Sequence, residues 1–294
     1  MILIVLQVVL TAATLVFLVA LAQAWRRRPG TPSIEGALFS AVSNFFDTLG
    51  ISSFATTTPY LKFRRLVAND AMIPATMMVG YALPTVAEAF VFTNAVKVDP
   101  ILLASAITSC VAGAIVGVRV AAVLPVNPIR VVMGIGLLVA ATGFALSNLG
   151  LMPPGGTATS LPPLPFAIVV AASFGFGILV NLGVGNFAPT LVLVSLLGMD
   201  PRAAFPIMMA SGALLVLVAG LRIIRTRPLN LPLVIGMSLG GIPAVLVAAF
   251  IVKSLPITQL RWGVVVVVTY AAGVMLHAAA TGGRVATPAE AASS

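Results

Sequence analysis

The sequence predicts an all-α polytopic membrane protein, built from one extra N-terminal helix and two inverted repeats. The first observation behind this prediction is composition: of 294 residues, 60% are hydrophobic and 8% are charged, whereas soluble domains carry about 25% charged residues. The second is the stretch from Val131 to Met199, which contains no Asp, Glu, Lys or Arg. The third is a pattern of polar breaks that recurs in the same order in both halves of the chain.

Apolar runs of this length indicate helices, because barrel strands alternate over about ten residues and a spanning helix needs about 20 apolar residues. The first element is a predicted transmembrane helix at residues 1–28. A signal peptide is the alternative, since Ala20-Leu21-Ala22 resembles a cleavage site. No basic residue precedes this run and Arg26-Arg27-Arg28 follows it, which favours a retained helix with its N-terminus outside.

Two stretches of similar organisation follow, separated by the Pro/Gly-rich loop at residues 153–163. The first, residues 34–150, has an interrupted apolar segment and then three helices, at about 34–61, 71–95, 100–123 and 129–149. The second, residues 164–280, repeats this order at about 164–199, 203–222, 229–252 and 260–279. Residues 281–294 are predicted to form a cytoplasmic tail.

Three local matches between these stretches indicate a duplication. Their offsets drift only from 133 to 131 positions, for 49–57 with 182–190, 74–80 with 206–212, and 124–130 with 255–261. If each interrupted segment is a re-entrant broken-helix hairpin, 12 basic residues fall inside and 4 outside; if each crosses once, the distribution is 8 and 8. The positive-inside rule expects a bias. Each repeat is therefore predicted to be one re-entrant hairpin plus three transmembrane helices, in opposite orientations, as in secondary transporters.

The two hairpin tips are the predicted substrate site, because non-helical backbone at membrane depth survives only where it is buried or lines a cavity. Half-helix N-termini suit an anion, hydroxyls and amides add donors, and glycines let a ligand approach the backbone. Close helix packing by small residues is the alternative. The candidate residues are Gly50, Ser52, Ser53, Thr56, Thr57, Gly183, Gly185, Asn186 and Thr190.

Acidic residues within the membrane are costly and usually functional. Glu88 lies deep in the 71–95 helix, with Tyr81 and Thr85 on the same face. Glu88 is the predicted proton-coupling acid, and Tyr81 is a coupling candidate beside it. A structural, protonated Glu88 and a position at the outer interface are the alternatives. Asp47 is a second coupling candidate, for which capping of a half-helix is the alternative.

The sequence does not contain the residues that other classes of function require. Cys110 is the single cysteine and His277 the single histidine, so neither an intramolecular disulfide nor a thiolate or histidine-cluster metal site is expected. The net charge of +9 lies in short clusters between apolar runs, which is typical of cytoplasmic loops rather than of nucleic-acid binding. No catalytic constellation is present, so neither an enzyme nor a cofactor is expected.

Glycine-rich turns, a proline and a small-residue helix mark the second half, at Gly175-Phe176-Gly177, residues 182–189, Gly198-Met199-Asp200 and Ala210-Ser211-Gly212. Together with the Leu-Pro-x4-Arg element before the last helix of each half, this pattern resembles the sulfite exporter TauE/SafE family over about residues 34–280. The first tip, Leu49-Gly50-Ile51-Ser52-Ser53, departs from it because it lacks the run of glycines. The resemblance implies export of sulfur-containing anions such as sulfite, sulfonates or sulfoacetate.

The expected function is therefore anion export across the cytoplasmic membrane by alternating access, driven in part by an inside-negative potential. A proton-coupled carrier of a neutral or zwitterionic solute is the first alternative, and a non-transporting structural subunit is another. The expected partners are a small anionic substrate and the lipid bilayer, without nucleic acid. The oligomeric state is left open, a homodimer being one arrangement.

Overall fold

Helices make up almost all of the protein. The computed structural model describes residues 2–49, 53–67, 72–120, 126–151, 156–180, 186–227, 229–254 and 256–281. Within these ranges the only β-type contact is an isolated bridge between Ala158 and Met199. Eight of the described helical segments are long and apolar enough to cross a bilayer. The prediction of an all-α, multi-pass membrane protein is thereby confirmed, while the predicted tail lies almost entirely outside the described residues.

Twelve described helices follow one another, with a short 3-10 turn at Pro201–Ala203 before the tenth. In chain order they are α1 Ile2–Arg27, α2 Ile34–Thr48, α3 Ser53–Phe63, α4 Met72–Gly80, α5 Ala82–Ala95, α6 Pro100–Val120, α7 Val126–Asn148, α8 Pro163–Val180, α9 Phe187–Leu196, α10 Ala204–Thr226, α11 Leu231–Ser254 and α12 Ile257–Ala280.

Apolar side chains cover the outside of this helical body. Ile4, Val8, Val132 and Phe250 are each more than 60% exposed, and a soluble protein rarely exposes a contiguous apolar surface larger than a few hundred Å². Many serine and threonine side chains are buried instead. The distribution suits hydrocarbon as the surrounding solvent, because polar groups must then find their partners inside.

A joint divides the segment that the sequence predicts as one helix at 71–95. Pro84 has no N–H to donate to the carbonyl oxygen of Gly80, and α4 ends at Gly80 while α5 begins after Tyr81. The freed carbonyl accepts a hydrogen bond from Ser238 Oγ of α11, at 3.0 Å. The joint is therefore both a break in the helical hydrogen bonding and a docking point for α11.

The start of α2 and the end of α3 lie at the same end of the molecule, here called the proximal end. Glu35 Oε1 accepts hydrogen bonds from Tyr60 OH at 2.9 Å and from Arg64 Nε at 2.6 Å. The Arg64 guanidinium and the Tyr60 hydroxyl hold the pKa of Glu35 below its ordinary value. Asn230, just before α11, donates to the Leu66 carbonyl at 3.0 Å, so α11 begins at the proximal end too.

The start of α8 and the end of α9 lie together at the opposite, distal end. Ala158 N–H donates to the Gly198 carbonyl at 3.2 Å, and Asp200 N–H donates to the Ala158 carbonyl at 3.0 Å. Asp99, just before α6, joins the same group through its N–H bond to the Thr159 carbonyl at 2.9 Å. Because α10 begins just after Asp200 and ends just before Asn230, it runs from the distal to the proximal end.

The most extensive helix contacts all join the two halves of the chain. They are α2 with α11, α7 with α12, α6 with α8, and α5 with α10. Two of these contacts bring backbones together: a Cβ atom at Gly240 would lie 1.9 Å from the Ala37 carbonyl oxygen, and one at Gly177 would lie 2.0 Å from the Cys110 carbonyl oxygen. Small residues let these helices pack at short distance.

Candidate functional site

One face of α2 carries polar side chains into the protein. Its residues recur at intervals of three and four and are Ser40, Ser43, Asn44, Asp47 and Thr48. Asp47 is half-buried, and each of the others is less than 5% exposed. Leu38 and Val42, on the opposite face, are more than half exposed. This α2 polar face points into the protein, whose exterior is apolar, and it is the core of the candidate site.

Glu88 lies against the α2 polar face from α5. Its side chain is 1% exposed, and its Oε1 accepts a hydrogen bond from Thr48 Oγ1 at 2.6 Å. The Asp47 carboxyl group is close enough to interact electrostatically with Glu88. Among the described residues, no Lys or Arg forms an ion pair with Glu88. The buried location predicted for Glu88 is therefore present, with a hydroxyl partner that the sequence did not indicate.

Asp47 makes the capping interaction considered as the alternative to a coupling role. Its Oδ1 accepts the Ser53 N–H at 2.8 Å, and its Oδ2 accepts the Ser53 hydroxyl at 3.0 Å. Ser53 is the first residue of α3, and a carboxylate at a helix N-terminus is stabilised by the free N–H groups and by the helix dipole. Both donors of Ser53, a predicted substrate residue, are thus engaged within the protein.

Three hydroxyl groups form a short chain beside this cap. Tyr81 OH and Thr57 Oγ1 are 2.5 Å apart, and Thr57 Oγ1 and Ser43 Oγ are 3.2 Å apart. Thr57 and Tyr81 are predicted site residues, and the fold brings them together at the joint between α4 and α5. Each hydroxyl can both donate and accept, so this chain can reorient its protons without moving heavy atoms.

Asn44 holds a buried acceptor without a partner. Its Nδ2 donates to the Ser40 carbonyl and to Ser40 Oγ, each at 2.9 Å. Its Oδ1 is fully buried and has no hydrogen-bond partner among the described residues. An unpaired buried polar group costs about 1–3 kcal/mol, and the few that native structures contain call for a specific explanation.

The start of α9 contributes a smaller polar cluster. Asn186 Nδ2 donates to Ser211 Oγ at 3.3 Å and approaches Cys110 Sγ at 3.9 Å. Asn186 also precedes α9, but its side chain does not cap that helix. Thr190, one turn further along, is 3% exposed. Thr190 is therefore buried and Asn186 partly buried, and Cys110 is a polar neighbour of Asn186 as well as a packing residue.

Four predicted residues lie outside the described part of the chain: Gly50, Ser52, Gly183 and Gly185. Thr56 lies in α3, but its side chain is also outside the description. The two tips therefore stay predictions, and the described site consists of the residues that flank them. Within the described ranges no group of three or more His, Cys, Asp or Glu residues could hold a metal ion.

Sequence reasoning missed Ser40, Ser43, Asn44 and Thr48. The signal was present, because polar residues at 40, 43, 44, 47 and 48 follow the helical period and mark one face. Chemically, the assembled site offers two carboxyl groups, a chain of hydroxyls and one unpaired acceptor. Comparison of the chain with protein-family models, curated proteins and solved structures found no match.

Proposed function

We propose that the protein is a secondary transporter that exports a small anion of the sulfite or sulfonate class by alternating access. The observation that carries this proposal is the buried α2 polar face with Glu88, inside a body whose exterior is apolar. Polar groups at membrane depth are expensive, and hydrophobic exteriors with polar interiors at broken helices are typical of transport pathways.

The arrangement of the helix pairs supports inverted repeats. The ends of α2 and α3 meet at the proximal end and those of α8 and α9 at the distal end, which favours two re-entrant hairpins that enter from opposite faces. The contacts of α2 with α11 and of α8 with α6 are interchanged when the halves are exchanged. A two-fold axis in the membrane plane would produce this relation.

Orientation follows from charge. Arg64 lies at the proximal end, and Arg225 and Arg227 lie close to Asn230 there, whereas Lys97 and Arg202 flank the distal group. With the proximal end in the cytoplasm, the basic residues obey the positive-inside rule. The N-terminus of α1 is then outside and the C-terminus of α12 inside.

In this proposal the two hairpins have different roles. Asp47 already occupies the N-terminal N–H of α3, so the first hairpin is suited to proton exchange through Glu88 rather than to an anion. The side chain of Asn186 leaves α9 uncapped, so the second hairpin, with Thr190 and the predicted glycines, is the better anion site. Hydroxyls, amides and a helix dipole bind an anion weakly enough to permit its release.

The test is charge-resolved flux in proteoliposomes that contain the purified protein and sulfite or sulfoacetate. An inside-negative potassium diffusion potential should accelerate anion efflux, because each exported charge gains about 2.3 kcal/mol per 100 mV. Protein-free liposomes give the background. Efflux at the background rate for every anion tested would refute anion export. Efflux above background but indifferent to potential would show that the anion leaves together with a proton, without net movement of charge.

The second candidate is a proton-coupled carrier of a neutral or zwitterionic solute, favoured by the two carboxyl groups of Asp47 and Glu88 in the described site. The sign of the response separates the two functions. An inside-negative potential drives an anion out, but it draws in a neutral solute that is carried in symport with a proton. A panel of zwitterionic solutes measured under the same potential therefore decides between them.

A further inference from the structure

A cavity of about 320 Å³ opens at the distal end, away from the α2 polar face. Its walls include Lys97, Arg202 and Asp200 at the rim and Phe92 and Phe205 at the floor. This volume lies near the lower limit of cavities that bind small molecules, about 300–1,000 Å³. A mostly apolar wall with a few converging polar groups is also typical of such sites.

The rim is cationic and is built from both halves of the chain. Lys97 follows α5 and is exposed, while Arg202 lies in the 3-10 turn before α10. One carboxylate, Asp200, also lines the rim, and its Oδ1 accepts the Arg202 N–H at 2.8 Å. The two cations outnumber it, so the rim keeps a net positive charge. An arginine and a lysine that converge on one cavity favour an anionic group there.

The floor is aromatic and separates the cavity from the buried acid. The rings of Phe92 and Phe205 are stacked with centroids 4.8 Å apart, and both side chains are almost fully buried. Glu88 precedes Phe92 by four residues on α5, so it lies one helical turn deeper on the same face. Phe92 therefore lines the cavity and lies one helical turn from the buried acid on α5.

We propose that this cavity is a binding site for small organic anions that carry an apolar group, such as alkanesulfonates. The anionic head pairs with Lys97 and Arg202, and the alkyl group lies on Phe92 and Phe205. The inference rests on the proposed transport function and deepens it, because it puts an extracytoplasmic anion site one helical turn from Glu88 along α5. The same chemistry, an anionic head with an apolar tail, also describes a phospholipid, so the experiment must separate the two sources.

The experiment is calorimetric titration of the full chain, in nanodiscs of phosphatidylcholine, with ethane- to pentanesulfonate. Affinity should rise about fourfold per added methylene, since each buried CH₂ enters an apolar site. Lys97→Gln and Arg202→Gln should each weaken binding about tenfold or more, because each removes a charged partner. Arg225→Gln makes the same charge change at the proximal end and should leave binding unchanged. Ala95→Trp, which fills the cavity without a change of charge, should abolish it.

Three results would overturn the site: affinity independent of alkyl length, equal affinity in wild type and both rim variants, or loss of alkanesulfonate binding when phosphatidylglycerol is added to the nanodiscs. The last result would identify the cavity as a lipid headgroup site. Flux measurements keep this proposal separate from the transport proposal. Binding with the expected pattern but no flux would leave the site standing and refute transport, whereas flux without the binding pattern would do the reverse.

Discussion

Glu88 is buried beside the Thr48 hydroxyl and, among the described residues, faces no cation that would stabilise its charged form. Glu88 can be singled out from the sequence, because an isolated acid in an apolar helix is conspicuous. Thr48 cannot be singled out in this way, because its contact with Glu88 depends on how α2 packs on α5. Single residues in the sequence therefore indicate the chemistry of the site, but they do not indicate which side chains contact one another.

Glu88→Gln tests the coupling role. Gln keeps the shape and hydrogen bonds of a protonated Glu but cannot lose a proton, so the variant should still bind substrate. Wild-type flux should respond to an imposed pH gradient by up to about tenfold per pH unit, while flux in the variant should not respond. The measurement is flux in proteoliposomes under an imposed pH gradient and, separately, under an imposed potential.

Thr93→Val is the matched control for this prediction. Thr93 is also buried on α5, but its hydroxyl donates to the Ala89 carbonyl of its own helix at 2.6 Å. Its loss should leave the pH response intact. A Glu88→Gln protein with the wild-type pH response would assign Glu88 a structural role and leave potential-driven uniport of the anion.

Ser238 has a structural task that can be measured directly. Ser238→Ala removes the donor to the Gly80 carbonyl that Pro84 leaves free, so a buried acceptor loses its partner. The free energy of unfolding should fall by about 1–3 kcal/mol, measured by chemical denaturation in detergent. Ser254→Ala, on the same helix but exposed and bonded locally to Ile251, should change it by less than about 0.5 kcal/mol.

At the scale of elements, the predicted segments agree with the observed helices to within a few residues. Where the prediction differed, the reason was local: it drew one helix over 71–95, whereas Pro84 interrupts the hydrogen bonding and separates α4 from α5. The sequence also described 34–61 as weakly apolar and interrupted without recognising α2 as a helix with an inward polar face. Hydropathy averages hide such a face, because exposed apolar residues such as Leu38 and Val42 alternate with the buried polar ones along α2.

Helix packing at Gly240 and Gly177 supplies the element-scale prediction. Gly240→Ala and Gly177→Ala place a methyl group against a facing backbone carbonyl, and overpacking of this kind costs about 1–3 kcal/mol. Gly273→Ala on α12 meets nothing within 4 Å and should be neutral or stabilising by up to about 1 kcal/mol. Thermal denaturation in detergent measures all three. Equal stability of the three variants would contradict the close approach of these helices.

For the molecule as a whole, the prediction concerns which faces the loops reach. In a Cys110→Ser background, cysteines at Arg26 and at Arg64 should react with a membrane-impermeant thiol reagent from the same, cytoplasmic side. A cysteine at Lys97 should react from the opposite side, because α4 and α5 together cross the membrane once. Labelling of positions 26 and 64 from opposite faces would refute both the re-entrant hairpin and the inverted repeat.

The sequence predicts a repeat, but it does not predict how the two halves of the chain pack together. Matching residues such as Pro74 and Pro206 indicate that two stretches share a plan. They do not indicate whether α2 rests on α6, in its own half, or on α11, in the other. That choice depends on surface complementarity, for example Gly240 against Ala37, and the observed contact joins the halves.

The packing of α2 on α11, a helix of the other half, has a consequence for how the protein is made. Between Thr48, where α2 ends, and Leu231, where α11 begins, about 180 residues must be synthesised, which takes roughly 10–40 s at 5–20 residues per second. Throughout that interval the part of the α2 polar face that α11 covers has no partner: Ser40, for example, donates to the Met237 carbonyl of α11 at 2.6 Å, and hydrocarbon cannot replace that acceptor. Final placement of α2 must therefore follow insertion of the last helices, so the first half of the chain reaches the membrane early but matures late.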